Sequence, residues 1–371
     1  MSEDSPPPDT PPPPDTPPSP DTPAPPGTPA VTVAVDAMGG DRAPAEVVAG
    51  AVAAASDGMS VVLTGRPGQL RSLLGTRPLG RDIRIVPAED SLAMDEGALA
   101  SWRRPRSSVA VACQLVRRGQ AAAVVSAGST AGIVATARLR LRSLPGLLRP
   151  GLAVALPTGP KPTLLVDAGA IADPKPEMML QFAQLGVAYA QVAFGVQDPR
   201  VGLLTIGAEP GKGNKLTLKA HELLAAAAHG GQPIRFVGNI EGGDLLTGKV
   251  DVVVTDGFTG NVALKTVEGT ASYVTEQIRA AFQRSRSARF GALFQRRVLR
   301  ELAGWIDAET YGGAALLGLE GTVVIAHGGS TAKGIASACR LAADLARGDI
   351  TERIQERLGP GHRGGHFLRR S

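Results

Sequence analysis

Cysteines and aromatic residues are scarce in this 371-residue chain. Its two cysteines, Cys113 and Cys339, lie far apart and without a metal-type spacing, which excludes a disulfide scaffold and a zinc ribbon. Only 4% of the residues are Phe, Trp or Tyr, and this argues against nucleic-acid binding through base stacking. No apolar run reaches the roughly 18 residues of a membrane-spanning helix. The composition therefore favours a protein of a reducing cytoplasm, and we expect no nucleic acid among its partners.

Three common catalytic signatures are also missing. The loop Gly207–Lys212 is one residue too short for a P-loop, and no hydroxyl residue for magnesium follows Lys212. No G-x-G-x-x-G follows the first predicted strand, which argues against a dinucleotide site. No G-x-S-x-G occurs, so the nucleophile elbow of serine hydrolases is absent. We expect an active site that uses neither a cofactor nor a metal ion.

The charge of the chain is distributed unevenly. Residues 1–29 are rich in proline and contain no lysine or arginine, so they cannot bury enough surface to fold, and we predict a disordered tail. This tail holds five acidic residues, so the formal charge of +5 for the whole chain becomes +10 for the remainder. A basic body points to an acidic partner, a phosphorylated substrate or an anionic membrane surface. We predict one catalytic domain at 30–350, followed by a basic C-terminal tail at 351–371.

The middle of the chain alternates between short apolar runs and longer helical stretches, which predicts an α/β fold. Several runs are apolar on successive residues, as in strands of a mostly parallel sheet with helices on both faces. The predicted strands are Val31–Val35, Ser60–Leu63, Ile83–Val86, Ala122–Val125, Leu152–Leu156, Thr163–Val166, Arg200–Ile206, Ile234–Val237, Val250–Val254 and Thr322–Ile325. Helical periodicity is clearest in Ser107–Arg118, Pro176–Val192, Leu216–Ala227 and Thr331–Arg347.

Six loops that follow predicted strands combine glycines with small hydroxyl, amide or acidic residues, as in TDGFTGNVALKT at 255–266. Glycine lets a backbone approach a ligand closely, and a following helix N-terminus supplies N–H donors that suit phosphate. One such loop is usually a helix cap with a tight turn. Six of them at one edge of a single sheet indicate a polar cleft for an oxyanion. The expected substrate- and phosphate-binding residues are Asp36, Gly39, Gly40, Ser126, Gly128, Thr130, Gly213, Asn214, Asp256, Gly257, Thr259, Gly260, Gly328 and Ser330.

Two side chains in these loops are candidates for the chemistry itself. Lys212 is flanked by glycines and is either a solvated loop lysine or a phosphate contact. His327 ends a predicted buried strand, and it is either a hydrogen-bonded core histidine or a polar group that acts on the phosphate. A cation, amides, a histidine and many backbone donors, without a side-chain nucleophile, fit a site in which the substrate anion attacks directly.

Eight stretches of this sequence match one known family, in family order, over residues 30–345. They are VAVDAMGGDRAP at 33–44, VVSAGSTAG at 124–132, DAGAIADPKPE at 167–177, VGLLTIGAEPGKGNKL at 201–216, FVGNIEGGDL at 236–245, VDVVVTDGFTGNVALKTVEG at 250–269, YGGAALLGL at 311–319 and AHGGSTAKG at 326–334. The chain resembles the bacterial acyl-acyl carrier protein:phosphate acyltransferases of phospholipid synthesis. It departs from the family pattern at Ser129, Ala131 and Gly329, which leaves the roles of those positions open.

The resemblance implies that the chain moves a fatty acyl group from an acyl carrier protein thioester to inorganic phosphate, giving an acyl phosphate. It also implies a homodimer and a fold similar to phosphotransacetylases and to isocitrate and isopropylmalate dehydrogenases. The family assigns the active site to the positions of Lys212 and Asn261, and we place His327 beside them as a third catalytic residue. A phosphotransacetylase-like enzyme that uses acyl-CoA is the alternative, because the same loops would serve both donors.

The segment 275–305 combines an apolar stripe with seven arginines between Arg279 and Arg300 and no acidic residue between them. It is either a helix pair in a dimer interface or a tip that lies on the inner face of the membrane. Because acyl phosphate must reach a membrane enzyme, we expect a cytoplasmic protein peripherally associated with that face. A membrane glycerol-3-phosphate acyltransferase is the expected next partner. The basic charge alone would also fit a nucleic-acid or membrane-binding module, but that function explains none of the glycine loops.

Overall fold

The computed structural model describes residues 31–75, 83–96, 98–159, 161–283, 295, 297 and 308–359. Their strands are β1 (Thr32–Asp36), β2 (Ser60–Gly65), β3 (Ile83–Pro87), β4 (Ala123–Ser126), β5 (Gly151–Leu156), β6 (Thr163–Val166), β7 (Arg200–Leu204), β8 (Arg235–Ile240), β9 (Val252–Val254), β10 (Ala314–Leu317) and β11 (Thr322–Ile325). Their helices are α1 (Ala45–Ser56), α2 (Pro67–Leu74), α3 (Ala98–Arg103), α4 (Ser108–Arg117), α5 (Thr130–Leu141), α6 (Pro176–Ala193), α7 (Lys215–His229), α8 (Gly257–Gln283), α9 (Ala332–Arg347) and α10 (Ile350–Leu358).

All of these strands join one sheet in the order β3-β2-β1-β4-β11-β10-β5-β6-β9-β7-β8. Strand β10 is antiparallel to both β11 and β5, and β5 is antiparallel to β6. The other neighbouring pairs are parallel. The mostly parallel α/β sheet is therefore confirmed. The antiparallel pairs in the middle make β6, β9, β7 and β8 run opposite to β3, β2, β1, β4 and β11.

Helices cover both faces of the sheet, because successive strand residues point to opposite sides. On one face, Val33 and Val35 belong to the core that packs against α1, α6, α7, α9 and α10. On the other face, Ala34 and Val124 pack with α4, α5 and the start of α8. Full burial of a valine or leucine stabilises the fold by about 1.5–3 kcal/mol. The site described below lies on the face of α5 and α8.

The structure also corrects details of the sequence prediction. Strand β10 was not predicted, since Ala314–Leu317 has four small or apolar residues that suit a helix equally well. Strand β7 ends at Leu204 rather than at Ile206, whose side chain is 84% exposed. The predicted C-terminal tail begins too early, because Ile350–Leu358 is a helix that buries Ile354 in the core.

Parts of three sequence predictions lie outside the described residues. These are the tail at 1–29, the end of the chain from residue 360, and all but Gln295 and Arg297 of the stretch 284–307. Helix α8 covers the beginning of the basic segment at 275–305. Of the helices that the structure describes, none has both the length and the apolar character needed to cross a membrane.

Candidate active site

A cavity of about 1350 Å³ lies on the face of the sheet between α5 and α8. Its floor is formed by Leu152, Val154 and Leu156, alternate residues of β5 that point to the same side. Val134 of α5 and Leu264 of α8 add apolar walls. A large, mainly apolar cleft with polar groups at a few positions is the usual form of a small-molecule site.

Strand direction determines which loops reach this cavity. The sequence predicted six loops at one edge of the sheet, and this prediction is wrong, because the strand direction reverses at β10, β5 and β6. The loops after β1, β4 and β11 leave one edge, whereas those after β6, β7 and β9 leave the opposite edge. Helices α5 and α8 start at opposite edges and both line the same cavity. They bring Thr130 and Asn261 into one site.

Five of the predicted site residues line the cavity, and they come from three different loops. Thr130 opens α5, and Gly257 and Asn261 lie in the first turns of α8. His327 and Ser330 follow β11. The three segments are separated by more than 60 residues in sequence, so only the sheet topology places them together.

Asp167, which follows β6, is a buried residue that the sequence prediction did not select and that holds part of the cavity wall. Its fully buried carboxylate accepts hydrogen bonds from the N–H groups of Leu152, Gly169, Ala170 and Ile171, at 2.8–3.1 Å. Burial raises the pKa of Asp167, although these four bonds lower it. The loop that it holds, 168–170, is part of the cavity wall. An acidic residue followed by Ala-Gly at a strand end was the available signal.

The start of α8 is closed by hydrogen bonds within the protein. Asp256 accepts from the N–H of Thr259 at 2.8 Å and from its hydroxyl at 2.7 Å. The N–H groups of Gly257 and Gly260 donate to Ile171 and Asp256 carbonyls, at 2.9 and 2.8 Å. Asp256, Thr259 and Gly260 therefore cap the helix rather than line the cavity. Glycine is required at Gly260 because a Cβ there would collide with the carbonyl oxygen of Asp167.

His327 lines the cavity with an exposed side chain, so the prediction of a core histidine is excluded. Its Nδ1 accepts a hydrogen bond from the N–H of Gly329 at 3.1 Å. A neutral imidazole that accepts at Nδ1 carries its hydrogen at Nε2. In this tautomer, assigned from the hydrogen bond, His327 can donate to an anion but cannot take a proton from it.

The N-terminus of α9, which follows the His327 loop, is occupied by carboxylates. Glu309 accepts from the N–H and the hydroxyl of Thr331, at 2.7 and 2.6 Å. Glu46 accepts from the N–H of Ala332 at 2.7 Å. Two negative charges at this helix end would repel a phosphate. The expected phosphate contacts near Gly328 are therefore not supported.

Three helices, α5, α8 and α9, begin near the cavity. Of these, α5 has an N-terminus whose first N–H groups are not capped by the protein. Its N-cap residue, Ser129, makes no capping hydrogen bond, and its first turn has no acidic residue. Within the described part of the protein, the N–H groups of Thr130, Ala131 and Gly132 donate to no protein acceptor. Thr130 and Ala131 both line the cavity. Such a helix end attracts anions through its free N–H groups and its dipole.

Six other predicted residues form a buried or half-buried cluster behind this helix end and do not line the cavity. The carboxylate of Asp36 accepts from the hydroxyl of Ser126 at 2.7 Å, and that hydroxyl accepts from the N–H of Gly128 at 3.2 Å. Burial raises the pKa of Asp36, while its hydrogen bonds lower it. The close packing of Gly39, Gly40 and Gly328 completes the cluster. These residues fix the loop before α5, and because the cavity lining does not include them, their direct contact with the substrate stays a prediction.

The Lys212 loop is the third predicted group, and it does not contribute to the cavity wall. Lys212 is exposed, Gly213 has a φ of +115°, and Asn214 caps α7 by accepting from the N–H of Thr217 at 2.9 Å. Asn239 ties the loop to β8 by donating to the carbonyl of Glu209 at 2.8 Å. Since β7 and β9 are parallel neighbours, this loop and the start of α8 leave the same edge of the sheet.

The described residues include no group of three or more His, Cys, Asp or Glu side chains that could hold a metal ion. The charged groups that line the cavity instead include Arg138 of α5 and Lys265 of α8. Lys265 forms an ion pair with Glu268 at 2.7 Å. The site thus combines apolar walls, an open helix end, an amide and an imidazole.

Comparisons with known proteins agree with this geometry. Residues 31–353 match the family described as fatty acid synthesis protein. The chain is 63% identical over 324 residues to a phosphate acyltransferase of Thermobifida fusca, covering 87% of this chain and 90% of that protein. It is 45% identical over 330 residues to a phosphate acyltransferase of Thermus thermophilus, covering 89% and 99%. A phosphotransacetylase structure from Streptococcus pyogenes has a TM-score of 0.61 at 18% identity, covering 86% and 94%, and this supports the predicted fold.

Proposed function

Because the chain belongs to the fatty acid synthesis protein family and is a phosphate acyltransferase, we propose that it transfers a fatty acyl group from acyl carrier protein to inorganic phosphate. The product is an acyl phosphate for phospholipid synthesis. The observation that carries the proposal is a single cavity with apolar walls and an open helix N-terminus. One part suits an acyl chain and the other an inorganic anion.

The acyl chain lies along the apolar floor of β5. Leu152, Val154 and Leu156 lie beneath it, and Leu264 and Val134 flank it. Burial of each methylene contributes about 0.8 kcal/mol, so a long chain is held by the cavity itself. The lining of α8 extends from Gly257 to Arg279, a length of about 33 Å at 1.5 Å per residue. This length is sufficient for an extended fatty acyl chain.

Phosphate binds at the open N-terminus of α5. The N–H groups of Thr130, Ala131 and Gly132 and the hydroxyl of Thr130 donate to its oxygens. The buried Asp36–Ser126–Gly128 network holds this helix end in place. The family position of Lys212 assigns its positive charge to the phosphate as well, and its loop leaves the edge of the sheet at which α8 begins, opposite the start of α5. The helix ends of α8 and α9 suit phosphate less well, because most of their first N–H groups already donate to protein acceptors.

The reaction needs no enzyme nucleophile. A phosphate oxygen attacks the thioester carbonyl, the new C–O bond forms, and the C–S bond then breaks to release the carrier thiolate. Asn261 donates to the oxyanion of the tetrahedral intermediate, a contact whose loss typically costs about 2.7–4 kcal/mol of barrier. His327 donates from Nε2 to the phosphate. The leaving thiol has an ordinary pKa of about 8.5, so it leaves without an acid catalyst.

A direct comparison of two donors tests this proposal against the phosphotransacetylase-like alternative. The protein is mixed with phosphate and either acyl carrier protein thioester or acyl-CoA, and thiol release is followed. The proposal requires a higher kcat/KM for the carrier thioester. A preference for acyl-CoA would assign the protein to the alternative activity.

We also propose that the protein is a homodimer that acts next to the membrane. Helix α8 buries only Gly257 and Gly260, while Tyr273 is 64% exposed and Val274 and Ile278 are also exposed. A second copy would cover this apolar surface. The acyl phosphate would then pass to a membrane glycerol-3-phosphate acyltransferase. Sedimentation equilibrium tests the dimer, and sedimentation with anionic vesicles tests the peripheral membrane contact.

A further inference from the structure

The rim of the cavity on the side of α5 carries an unbalanced group of arginines. Residues 130–150 contain Arg138, Arg140, Arg142 and Arg149, and no acidic residue. Arg140 has a structural role, since its Nη2 donates to the carbonyl of Pro105 at 3.0 Å. The other three are exposed, and we name them the α5 arginine patch (Arg138, Arg142 and Arg149).

The positive charges of this patch are not neutralised by acidic side chains of the described residues. No ion pair joins any of the three to an acidic side chain of the described residues. Partial burial and the nearby charge of Arg149 lower the pKa of Arg138, so these two guanidinium groups lie close together. Like charges at short range are unfavourable in the free protein. An acidic partner would relieve this repulsion.

The position of the patch connects it to the cavity. Arg138 lines the cavity wall one helical turn beyond Val134, on the same side of α5. Arg142 and Arg149 continue the positive surface outside the cavity, around Leu148, whose side chain is 48% exposed. The three acidic residues that line the cavity are on other elements: Glu268 of α8 is paired with Lys265, Glu276 is also on α8, and Glu309 is bonded to Thr331.

We propose that the α5 arginine patch is the docking surface for the acidic acyl carrier protein, and that docking there delivers the thioester to the cavity. This inference rests on the proposed function and adds the place of contact. A lipid surface fits the patch less well, because binding at a membrane interface needs a broad apolar face and the patch offers one exposed leucine. Opposite charges across an interface mainly raise the rate of association and make that rate depend on the salt concentration.

Two charge reversals test the docking surface without altering the cavity wall. Arg142→Glu and Arg149→Glu are measured with acyl carrier protein thioester and with an acyl-pantetheine thioester, which lacks the acidic protein. We expect each reversal to raise the KM for the carrier thioester about fivefold, because long-range attraction is lost. The kcat with both donors and the KM for acyl-pantetheine stay unchanged. The wild-type KM for the carrier thioester rises with salt.

Arg71→Glu is the matched control, since Arg71 is exposed on α2, which packs on the opposite face of the sheet. An unchanged KM in both patch variants, or an equal rise in the control, would overturn the docking surface. If the patch variants instead lost only their binding to anionic vesicles, the patch would bind lipid and the proposal would be wrong. If the wild type used acyl-pantetheine but never the carrier thioester, the proposed function would fail together with its docking surface.

Discussion

Gly169 and Asn261 lie next to each other in the cavity wall. A Cβ atom on Gly169 would lie 3.4 Å from both the Cβ and the Oδ1 atoms of Asn261, and Gly169 has a φ of +134°. Glycine at this position lets the loop that Asp167 holds pass beside the amide of Asn261. We expect the buried carboxylate of Asp167 to position Asn261 through this loop.

Gly169→Ala tests this contact. The new methyl group would contact Asn261 at van der Waals distance and strain a backbone that favours glycine, so we expect the loop to shift the amide and kcat to fall about tenfold while the KM for phosphate stays near its wild-type value. Steady-state kinetics measure both parameters. Gly159→Ala is the control, since it has a φ of +119° and no neighbour within 4 Å of the added atom. An equal effect of the two variants would mean that backbone strain, not the contact, is responsible.

Asn261→Ala should remove most of the activity and little of the stability. Loss of one oxyanion donor typically lowers kcat by about 100–1000-fold, whereas an exposed side chain changes the free energy of unfolding by about 0.5 kcal/mol or less. Kinetics and urea unfolding measure the two effects. Thr266→Ala, an exposed change on the part of α8 outside the cavity wall, should leave kcat intact. A folded Asn261→Ala enzyme with normal kcat would remove Asn261 from the site.

Two substitutions of His327 distinguish a hydrogen-bond donor from a general base at this position. If Nε2–H donates to the phosphate, His327→Gln retains a donor and should keep more activity than His327→Ala. We expect a loss in kcat of about tenfold for glutamine and about 100-fold for alanine. Kinetics at fixed pH measure the order of the two variants. Equal losses would favour proton removal by the imidazole and contradict the assigned tautomer.

Lys212→Ala should weaken phosphate binding rather than the chemical step. The side chain is exposed outside the cavity wall, so we expect the KM for phosphate to rise about tenfold with kcat nearly unchanged. Lys212→Arg should restore part of the affinity because it keeps the charge. Phosphate titration of the initial rate measures this. A KM that does not respond to either substitution would leave Lys212 as a solvated loop residue.

The pair of Arg200 and Asp251 should make stability depend on pH. Burial alone would raise the pKa of Asp251, but hydrogen bonds from the side chain and backbone of Arg200, at 2.8–3.1 Å, outweigh burial and lower it below 3.8. A lowered pKa in the folded state stabilises the protein above the ordinary pKa. This contribution is lost as the pH falls through the lowered value.

Asp251→Asn should therefore reduce the free energy of unfolding by about 1 kcal/mol at pH 7, since the pair is partly exposed. The difference from wild type should remain constant down to about pH 5 and shrink below pH 4. Urea unfolding across this pH range measures it. A difference that grew as the pH fell would show that the sign assigned to the shift is wrong.

Much of the fold could be predicted because the strands carry their own signal. Runs such as Val33–Val35 and Val252–Val254 are apolar on successive residues, as strands buried on both faces must be. The direction of each strand depends instead on distant pairing. Strand β10 has only four residues, and nothing in Ala314–Leu317 indicates that it pairs antiparallel on both sides. The sequence therefore did not predict that the loops after β1, β4 and β11 leave one edge of the sheet and those after β6, β7 and β9 leave the other.

The site could be predicted in its chemistry more than in its geometry. Asn261 and His327 stood out as polar side chains in glycine-rich loops, and both line the cavity. Composition could not tell which helix ends would be filled by the protein's own groups. The carboxylates of Glu46 and Glu309 cap α9 from distant parts of the chain. Their long-range contacts leave α5 as the helix with an open N-terminus beside the cavity.

Detection of the product tests the central claim most directly. The protein is mixed with acyl carrier protein thioester and phosphate, without added metal or nucleotide, and the products are analysed by mass spectrometry. The account predicts acyl phosphate in an amount equal to the free carrier thiol, and no thiol release when phosphate is omitted. Release of free fatty acid without phosphate, or a requirement for ATP, would contradict it.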